Sequence, residues 1–363
     1  MAYTTIDDPS VYFQTALYAG DGSSSNAITN GGNSDLQPDW IWIKDRSATN
    51  GHGVQDTSRG IAKVLFTNGT DSEDQYTNTM VSSVQSDGFT VPNNSNSNTN
   101  TNNYVAWQWK ANGGTTTTND ASATSVGTID SVYQANTTAG FSIVTYDGNG
   151  SSGASFAHGL GVVPDFIIIK NRSEAKDWAV YHGANTSAPQ TDALFLNLTD
   201  ATIDNTGYWN DTAPTSSIIT VGDNTKVNSS GEQHVAYCFA EKQGYSKFGS
   251  YTGNGNADGP FVYTGFKPAW VMIKRTSGTE NWVLWDNKRD PFNNFYHVLL
   301  PNASSAEDTT NAGSGGRYVG DFLSNGFKLR NTHDTSNSSS NYIYMAFAES
   351  PFVSSKGAPT TAR

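Results

Sequence analysis

The chain of 363 residues has one cysteine, Cys238, and only seven glutamates. A single cysteine excludes an internal disulfide and any cysteine-rich zinc site. So few glutamates, with charged residues at 15%, argue against long helices, which draw on Ala, Leu, Glu, Lys and Arg. No apolar run approaches the ~20 residues of a membrane helix. Basic residues are scarce too: the net charge is −12, which disfavours nucleic acid and anionic lipid as partners. The opening Met1-Ala-Tyr-Thr-Thr-Ile lacks a basic segment followed by an apolar one, so no secretory signal is expected. Folding in a reducing cytoplasm fits these features.

What the chain does have is Asn, Ser and Thr, 117 residues in all, with 35 Gly. Such residues serve turns, and Thr with the aromatics serves strands. Nine Trp, 17 Tyr and 17 Phe are too many for a disordered chain. The composition therefore predicts an all-β protein with many loops.

A long internal repeat organises the sequence. Pro38-Asp-Trp-Ile-Trp-Ile-Lys44 recurs as Pro164-Asp-Phe-Ile-Ile-Ile-Lys170 and as Pro268-Ala-Trp-Val-Met-Ile-Lys274. A Tyr-x-Gly-[Asp/Asn]-Gly turn precedes each copy, at Tyr18, Tyr146 and Tyr251. An aromatic strand follows each, beginning at Tyr104, His234 and Tyr342, at intervals of 66, 70 and 74 residues from the proline. Trp178-Ala-Val-Tyr matches Trp282-Val-Leu-Trp, and the first copy shows no equivalent tryptophan. Ser86-Asp-Gly-Phe matches Ser324-Asn-Gly-Phe, an Asp-Gly or Asn-Gly hairpin signal. Ser217–Val221 takes that place in the middle copy.

Units of ~100 residues are too long for a solenoid and suit β domains. The expected architecture is three tandem β-sandwiches, of jelly-roll or lectin-like type. Their expected bounds are 1–112 with a short arm, 140–243 and 244–353. Residues 113–139 read as a Gly/Thr/Asn-rich linker whose later half has the residues to dock as a strand, and 354–363 as a tail. The loop Asn93–Asn103 reads as mobile. Trp40-Ile-Trp-Ile43 is apolar throughout, so it is expected to be a central strand covered on both faces. The repeated aromatics Trp40, Trp42, Phe166, Trp270, Trp107, Trp178 and Trp282 are assigned to the repeat core.

Reactive constellations are sparse. The six histidines, at 52, 158, 182, 234, 297 and 333, show no ligand spacing. Glycine-rich Asp/Asn segments near Tyr146 and Asp258 lack the terminal Glu of a Ca²⁺ loop and read as Asx turns. No nucleophile elbow is present. His158-Gly-Leu-Gly reads as a turn into the central strand. Only Glu241 and Glu349 occupy matched positions, just past an aromatic strand. No catalytic residue, metal or cofactor is assigned. Two tryptophans stand outside the shared framework. Trp209, with Tyr208, sits in a polar loop, and Trp285 adjoins Asp286. Each has two readings: a sugar-stacking platform beside Asn and Asp, or a loop anchor packed on its own domain.

Together, the opening Tyr3-Thr-Thr-Ile-Asp-Asp-Pro, the Tyr-x-Gly turn, His158-Gly-Leu-Gly with Pro164-Asp-Phe-Ile-Ile-Ile-Lys170, and a strand ending Phe-Ala-Glu have a family look. The set resembles an uncharacterised β-rich repeat domain of tailed-phage virion proteins, many of them marine, over nearly the whole chain. That resemblance implies a non-enzymatic virion protein of tail-fibre or adhesin type. It would be made in the host cytoplasm and displayed on the particle surface. Its implied partners are other virion proteins, further copies of itself (as a trimer, for instance) and host-surface glycan. The alternatives are a capsid decoration or cement protein and, less favoured, a glycan depolymerase. The first unit lacks His-Gly-Leu-Gly, which suggests attachment as its role.

Overall fold

A computed structural model describes residues 2–73, 79–310 and 317–360. The chain is mostly β-strand in several antiparallel sheets. The first unit contains β1 (Phe13–Ala19), β2 (Asn26–Ile28), β3 (Trp40–Asp45), β4 (Gly53–Asp56), β5 (Leu65–Phe66), β6 (Ser83–Gln85), β7 (Gly88–Val91) and β8 (Asn103–Trp109). Its larger sheet has the order β1-β8-β3-β4-β5, its smaller one β2-β7-β6. β9 (Thr117–Asn119) and β10 (Ser131–Asn136) follow.

The second unit has β11 (Phe141–Asp147), β12 (Ala154–Ala157), β13 (Phe166–Asn171), β14 (Ala179–His182), β15 (Asp192–Phe195), β16 (Ile203–Asp204), β17 (Ile218–Val221) and β18 (Gln233–Phe239). Its larger sheet runs β16-β15-β14-β13-β18-β11-β10-β9, and β12 pairs with β17. The third has β19 (Ser246–Thr252), β20 (Phe261–Tyr263), β21 (Phe266–Arg275), β22 (Val283–Asp286), β23 (Gly320–Leu323), β24 (Gly326–Leu329) and β25 (Asn341–Pro351). Its sheets run β19-β25-β21-β22 and β20-β24-β23.

Strand alternation explains the all-apolar strands. Successive side chains point to opposite faces. Ile41 and Ile43 enter a core between the first unit's two sheets, with Ile28, Phe89 and Val91. Ile167 and Ile169 do the same in the second unit, Val271 and Ile273 in the third. The alternate residues, Trp40, Trp42, Phe166, Ile168, Trp270 and Met272, face the other way. They meet in one cluster with Trp107, Trp109, Trp178, Tyr237, Phe239, Trp282 and Phe347. Each unit thus has its own core, and all three share a further one. Trp40 lies 4.6 Å from both Trp109 and the second unit's Tyr237, and Trp109 lies 5.7 Å from the third unit's Trp270.

The units meet head to tail, and the same contact recurs at each seam. Lys44 Nζ donates to Ser304 O of the third unit (3.1 Å), Lys170 Nζ to Thr70 O of the first (3.0 Å), and Lys274 Nζ to Thr199 O of the second (3.1 Å). A head-to-tail contact repeated three times closes a ring. Trp178 Nε1 reaches Phe66 O and Trp282 Nε1 reaches Phe195 O across two of these seams. In the first unit the matching position, just ahead of β4, is His52. Its ring stacks on Trp107 and accepts from Trp42 Nε1 at 3.2 Å. The missing tryptophan is replaced by another planar side chain.

The segment expected to be a linker is part of the second sheet. β9 and β10 extend it beyond β11, and Asp39 of the first unit accepts from the amides of Ala111, Gly113 and Gly114. The N-terminal arm lies on the third unit and the step leading into it, where Tyr3 Oη donates to Gly265 O (2.7 Å) and Thr4 Oγ1 to Gln243 O (2.8 Å). In the tail, Ser355 donates to Asp7. The loop Asn93–Asn103 is not loose at its centre: Ser97 and Asn98 are buried.

Asn98, Asn228 and Asn337 explain the Tyr-x-Gly turns. Each side-chain oxygen accepts an amide of the facing turn, from Asp21, Asn149 and Asn254. Tyr18, Tyr146 and Tyr251 donate to the carbonyls of Ser97, Val227 and Ser336. The first glycine of each turn has no room for a side chain. A Cβ on Gly20, Gly148 or Gly253 would sit 2.1, 2.3 or 2.1 Å from a carbonyl oxygen.

Candidate functional site

The aromatic platforms suggested by sequence are interior. Tyr208, Trp209, Trp285 and Asp286 are 2%, 1%, 0% and 0% exposed. Trp209 Nε1 donates to Asp192 O (2.8 Å) and its ring meets Tyr181 edge-on. Lys226 Nζ lies 3.3 Å from Tyr208 Oη. Trp285 packs on Phe295 in the third unit's core. None of these rings offers a face to a sugar: Trp209 packs in the second unit's core, and Trp285, on β22, in the third's. The two matched carboxylates each bind a nearby ammonium: Glu241 with Lys247 at 2.7 Å, Glu349 with Lys267 at 2.5 Å. His158 is buried, and its Nε2 lies 3.1 Å from Thr215 O. Gly159 and Gly161 have φ of +72° and +71°, as a tight turn requires. Among the described residues, no group of three or more His, Cys, Asp or Glu could hold a metal.

The polar chemistry is concentrated at the seams. Asp286 is joined to Arg289 (2.6 Å), Arg289 to Glu307 (2.9 Å), and Glu307 to Arg46 of the first unit (2.7 Å). Trp107 Nε1 donates to Asp286 at 3.0 Å. The seam between second and first units repeats this with Asp56, Arg59, Glu73 and Arg172, and Tyr237 Oη donates to Asp56 at 2.7 Å. At the seam between third and second units, the four positions hold His182, Asn185, Thr202 and Thr276. Thr202 Oγ1 donates to Asn185 Oδ1 (2.9 Å) and Thr202 N to Thr276 O (2.9 Å). All four positions change together, because one charge left alone in such a place would be uncompensated. His182 Nδ1 accepts from Ala184 N, which leaves Nε2 to donate to Tyr344 O at 3.1 Å. The imidazole is therefore neutral.

These environments shift titrations. Burial opposes ionisation of Glu73, but the hydrogen bonds and charges of Arg172 and Arg59 prevail and hold it at about 2. Burial pulls His158, His182 and His234 down to about 4. Burial also lowers Lys44, Lys170 and Lys274 to about 8, so they stay charged at neutral pH on their carbonyl acceptors.

Acid should therefore weaken the fold in two overlapping stages. The unfolded chain binds protons at its histidines near 6.5, the folded one only near 4, so stability falls as pH drops through that window. Glu73 adds a loss of the same sign from 4.5 down to about 2. Urea midpoints measured from neutral pH to about pH 3 should decline throughout. A midpoint flat down to about pH 5 would show that the histidines are not held neutral.

The molecule has two unlike ends. Strand register places Phe13, Trp40 and Trp109 level with one another, and likewise Phe141, Phe166 and Phe239, and Trp270 and Phe347. The chain enters β1, crosses between units and leaves β25 at this end. Val162, Val163 and Phe292, all exposed, lie on connections there, with Phe292 at 83%, and the exposed Tyr263 ends β20 just before the turn into β21. The opposite end carries the three Asn-clamped glycine turns.

A family model, described as a domain of unknown function (DUF7483), matches residues 8–351. No curated protein and no solved structure matches the chain. The matched stretch runs through all three units and both crossovers as one domain, as the shared core requires, and the chain belongs to the DUF7483 family.

Proposed function

We propose that this chain is a non-enzymatic structural protein of a virion, of tail-fibre or adhesin type. Its three units act as tandem β-sandwich lobes of jelly-roll or lectin-like form. The observation that carries this reading is the difference between the two ends. The crossovers between units and four exposed apolar side chains gather at one end, which suits attachment to other virion proteins. Three copies of a polar Asn/Asp/Gly turn stand at the other, which suits repeated weak contacts with host-surface glycan. Repetition within one rigid body raises avidity when the sites are spanned together. A buried thiol, buried imidazoles and arginine-paired carboxylates serve stability rather than turnover. The exposed Val163, Tyr263 and Phe292 favour a second reading, a capsid decoration protein clamped through the crossover end.

Gold-labelled antibody fragments raised against the purified chain distinguish the readings on intact particles. Labelling of tail fibres is expected. Labelling over the capsid would favour the clamp, and absence of the chain from purified particles would end both.

A further inference from the structure

One edge of the larger sheet is extended by a further strand in the second unit and ends on β1 or β19 in the other two. In the second unit β11 is flanked by β10, whose Ser131–Asn136 pair antiparallel with Tyr146–Phe141. The matching strand of the first unit, β1, is the edge of its sheet. Among the described residues, the main chain of Phe13–Tyr18 makes hydrogen bonds to β8 alone.

β10 does more than pair. Gln134 lies opposite Ile143 and is buried. Its Nε2 donates to Thr57 Oγ1 (2.9 Å) and Ser58 Oγ (3.0 Å) on the turn after β4. Its Oε1 accepts from Asn112 N (3.0 Å) and Gly114 N (2.7 Å). Gln134 therefore plugs the seam between the second and first units.

At the seam between first and third units the same positions surround a cavity. Thr15 stands where the second unit has Ile143, because Thr15 pairs with Trp107 as Ile143 pairs with Tyr237. Asn287 and Lys288, after β22, stand where Thr57 and Ser58 stand after β4. Thr15, Asn287 and Lys288 line a space of about 160 Å³ with Phe13, Gly31 and Gly32. That is more than ten times the ~10–15 Å³ needed to admit a water. The third unit fills this position with Phe248, which joins the central cluster. Thr15 is shorter, and its Oγ1 is buried without a partner. Leu17, the next residue on that face of β1, is exposed.

We propose that the free edge of β1 and the adjoining cavity receive an extended segment of another polypeptide. The segment pairs antiparallel with Phe13–Tyr18 and places a Gln or Asn side chain beside Thr15, as β10 places Gln134 beside Ile143. Main-chain pairing supplies attraction and the inserted amide fixes the register. An unpaired sheet edge beside an unfilled polar cavity is what strand addition resolves. The inference stands apart from the virion reading and holds for any polypeptide partner.

The chain's own β10 supplies the probe, a peptide of sequence Ile-Asp-Ser-Val-Tyr-Gln-Ala-Asn-Thr-Thr, residues 129–138. It is titrated into the full chain while amide hydrogen exchange is followed. Saturable binding should slow exchange at residues 13–18, and replacing the peptide's Gln by Leu should weaken binding about tenfold. Leu17→Pro removes an edge-facing N–H on the exposed stretch of β1, which an edge strand tolerates, and should remove binding with the fold intact. Thr15→Val keeps the shape without the hydroxyl, should weaken binding, and serves if the proline disturbs β1. The proposal is overturned if residues 13–18 gain no protection at about 1 mM peptide, if a scrambled peptide protects them equally, or if both variants bind as the parent does.

Discussion

Trp40→Ala should destabilise the whole chain by about 3–5 kcal/mol, and all three units should respond. Trp40 is buried against Trp42 and Trp109 of its own unit and Phe141, Tyr237 and Phe239 of the next. Removing the indole opens a void at a point where two sheets meet, and neither can close it alone. Trp40→Phe should cost far less. Phe166 fills the matching position in the second unit, and the Trp40 Nε1 has no partner among the described residues to lose. Urea denaturation followed by tryptophan fluorescence and by far-ultraviolet circular dichroism checks this. Coincident transitions at a lower midpoint are expected. If one probe shifted and the other stayed, the units would be independent.

Arg289→Met should cost a similar ~3–5 kcal/mol, for an electrostatic reason. The guanidinium is fully buried between Asp286 and Glu307, and its removal leaves Glu307 to Arg46, and Asp286 to the Trp107 indole and the amides of residues 288 and 289 with no cation beside it. Replacing the set instead of one member should be milder. Asp286→His, Arg289→Asn, Glu307→Thr and Arg46→Thr together reproduce the neutral seam that the molecule already uses at His182, Asn185, Thr202 and Thr276. The fourfold variant is expected to be more stable than Arg289→Met alone, a non-additivity that contacting residues show. A fourfold variant less stable than the single one would mean that the seams are not interchangeable.

Much of the local structure was legible in the sequence. The three apolar strands are central and covered on both faces, because no polar residue interrupts either alternation between Trp40 and Ile43, Phe166 and Ile169, or Trp270 and Ile273. Ser86-Asp-Gly and Ser324-Asn-Gly form hairpins, with Gln85 opposite Gly88 and Leu323 opposite Gly326. The shared core was not legible, since a face buried by a neighbouring unit has the same periodicity as one buried within a unit. His52 hid the third seam position by changing residue type while keeping a planar ring. Buried polar residues misled in the opposite direction. Asn98 and Ser97 sit in a run that composition assigns to solvent, yet both are buried: a turn amide donates to the Asn98 side chain and the Tyr18 hydroxyl to the Ser97 carbonyl. Trp209 and Trp285 held two readings in the sequence because Asn and Asp flank them. The structure tucks each ring inward and spends its polar neighbours on turns and on Arg289. Asn98, Asn228 and Asn337 could have been found, since each stands five or six residues ahead of the aromatic strand.

The proposed strand-accepting edge depends on the same comparison between units. Only a repeat in which one copy is completed by its own chain makes an incomplete copy recognisable.

Scanning calorimetry of the intact chain at neutral pH tests the shared core most directly. One endotherm is expected, with its calorimetric enthalpy equal to the van't Hoff value. Two or three separable endotherms, or a calorimetric enthalpy about threefold the van't Hoff value, would mean that the units melt one by one.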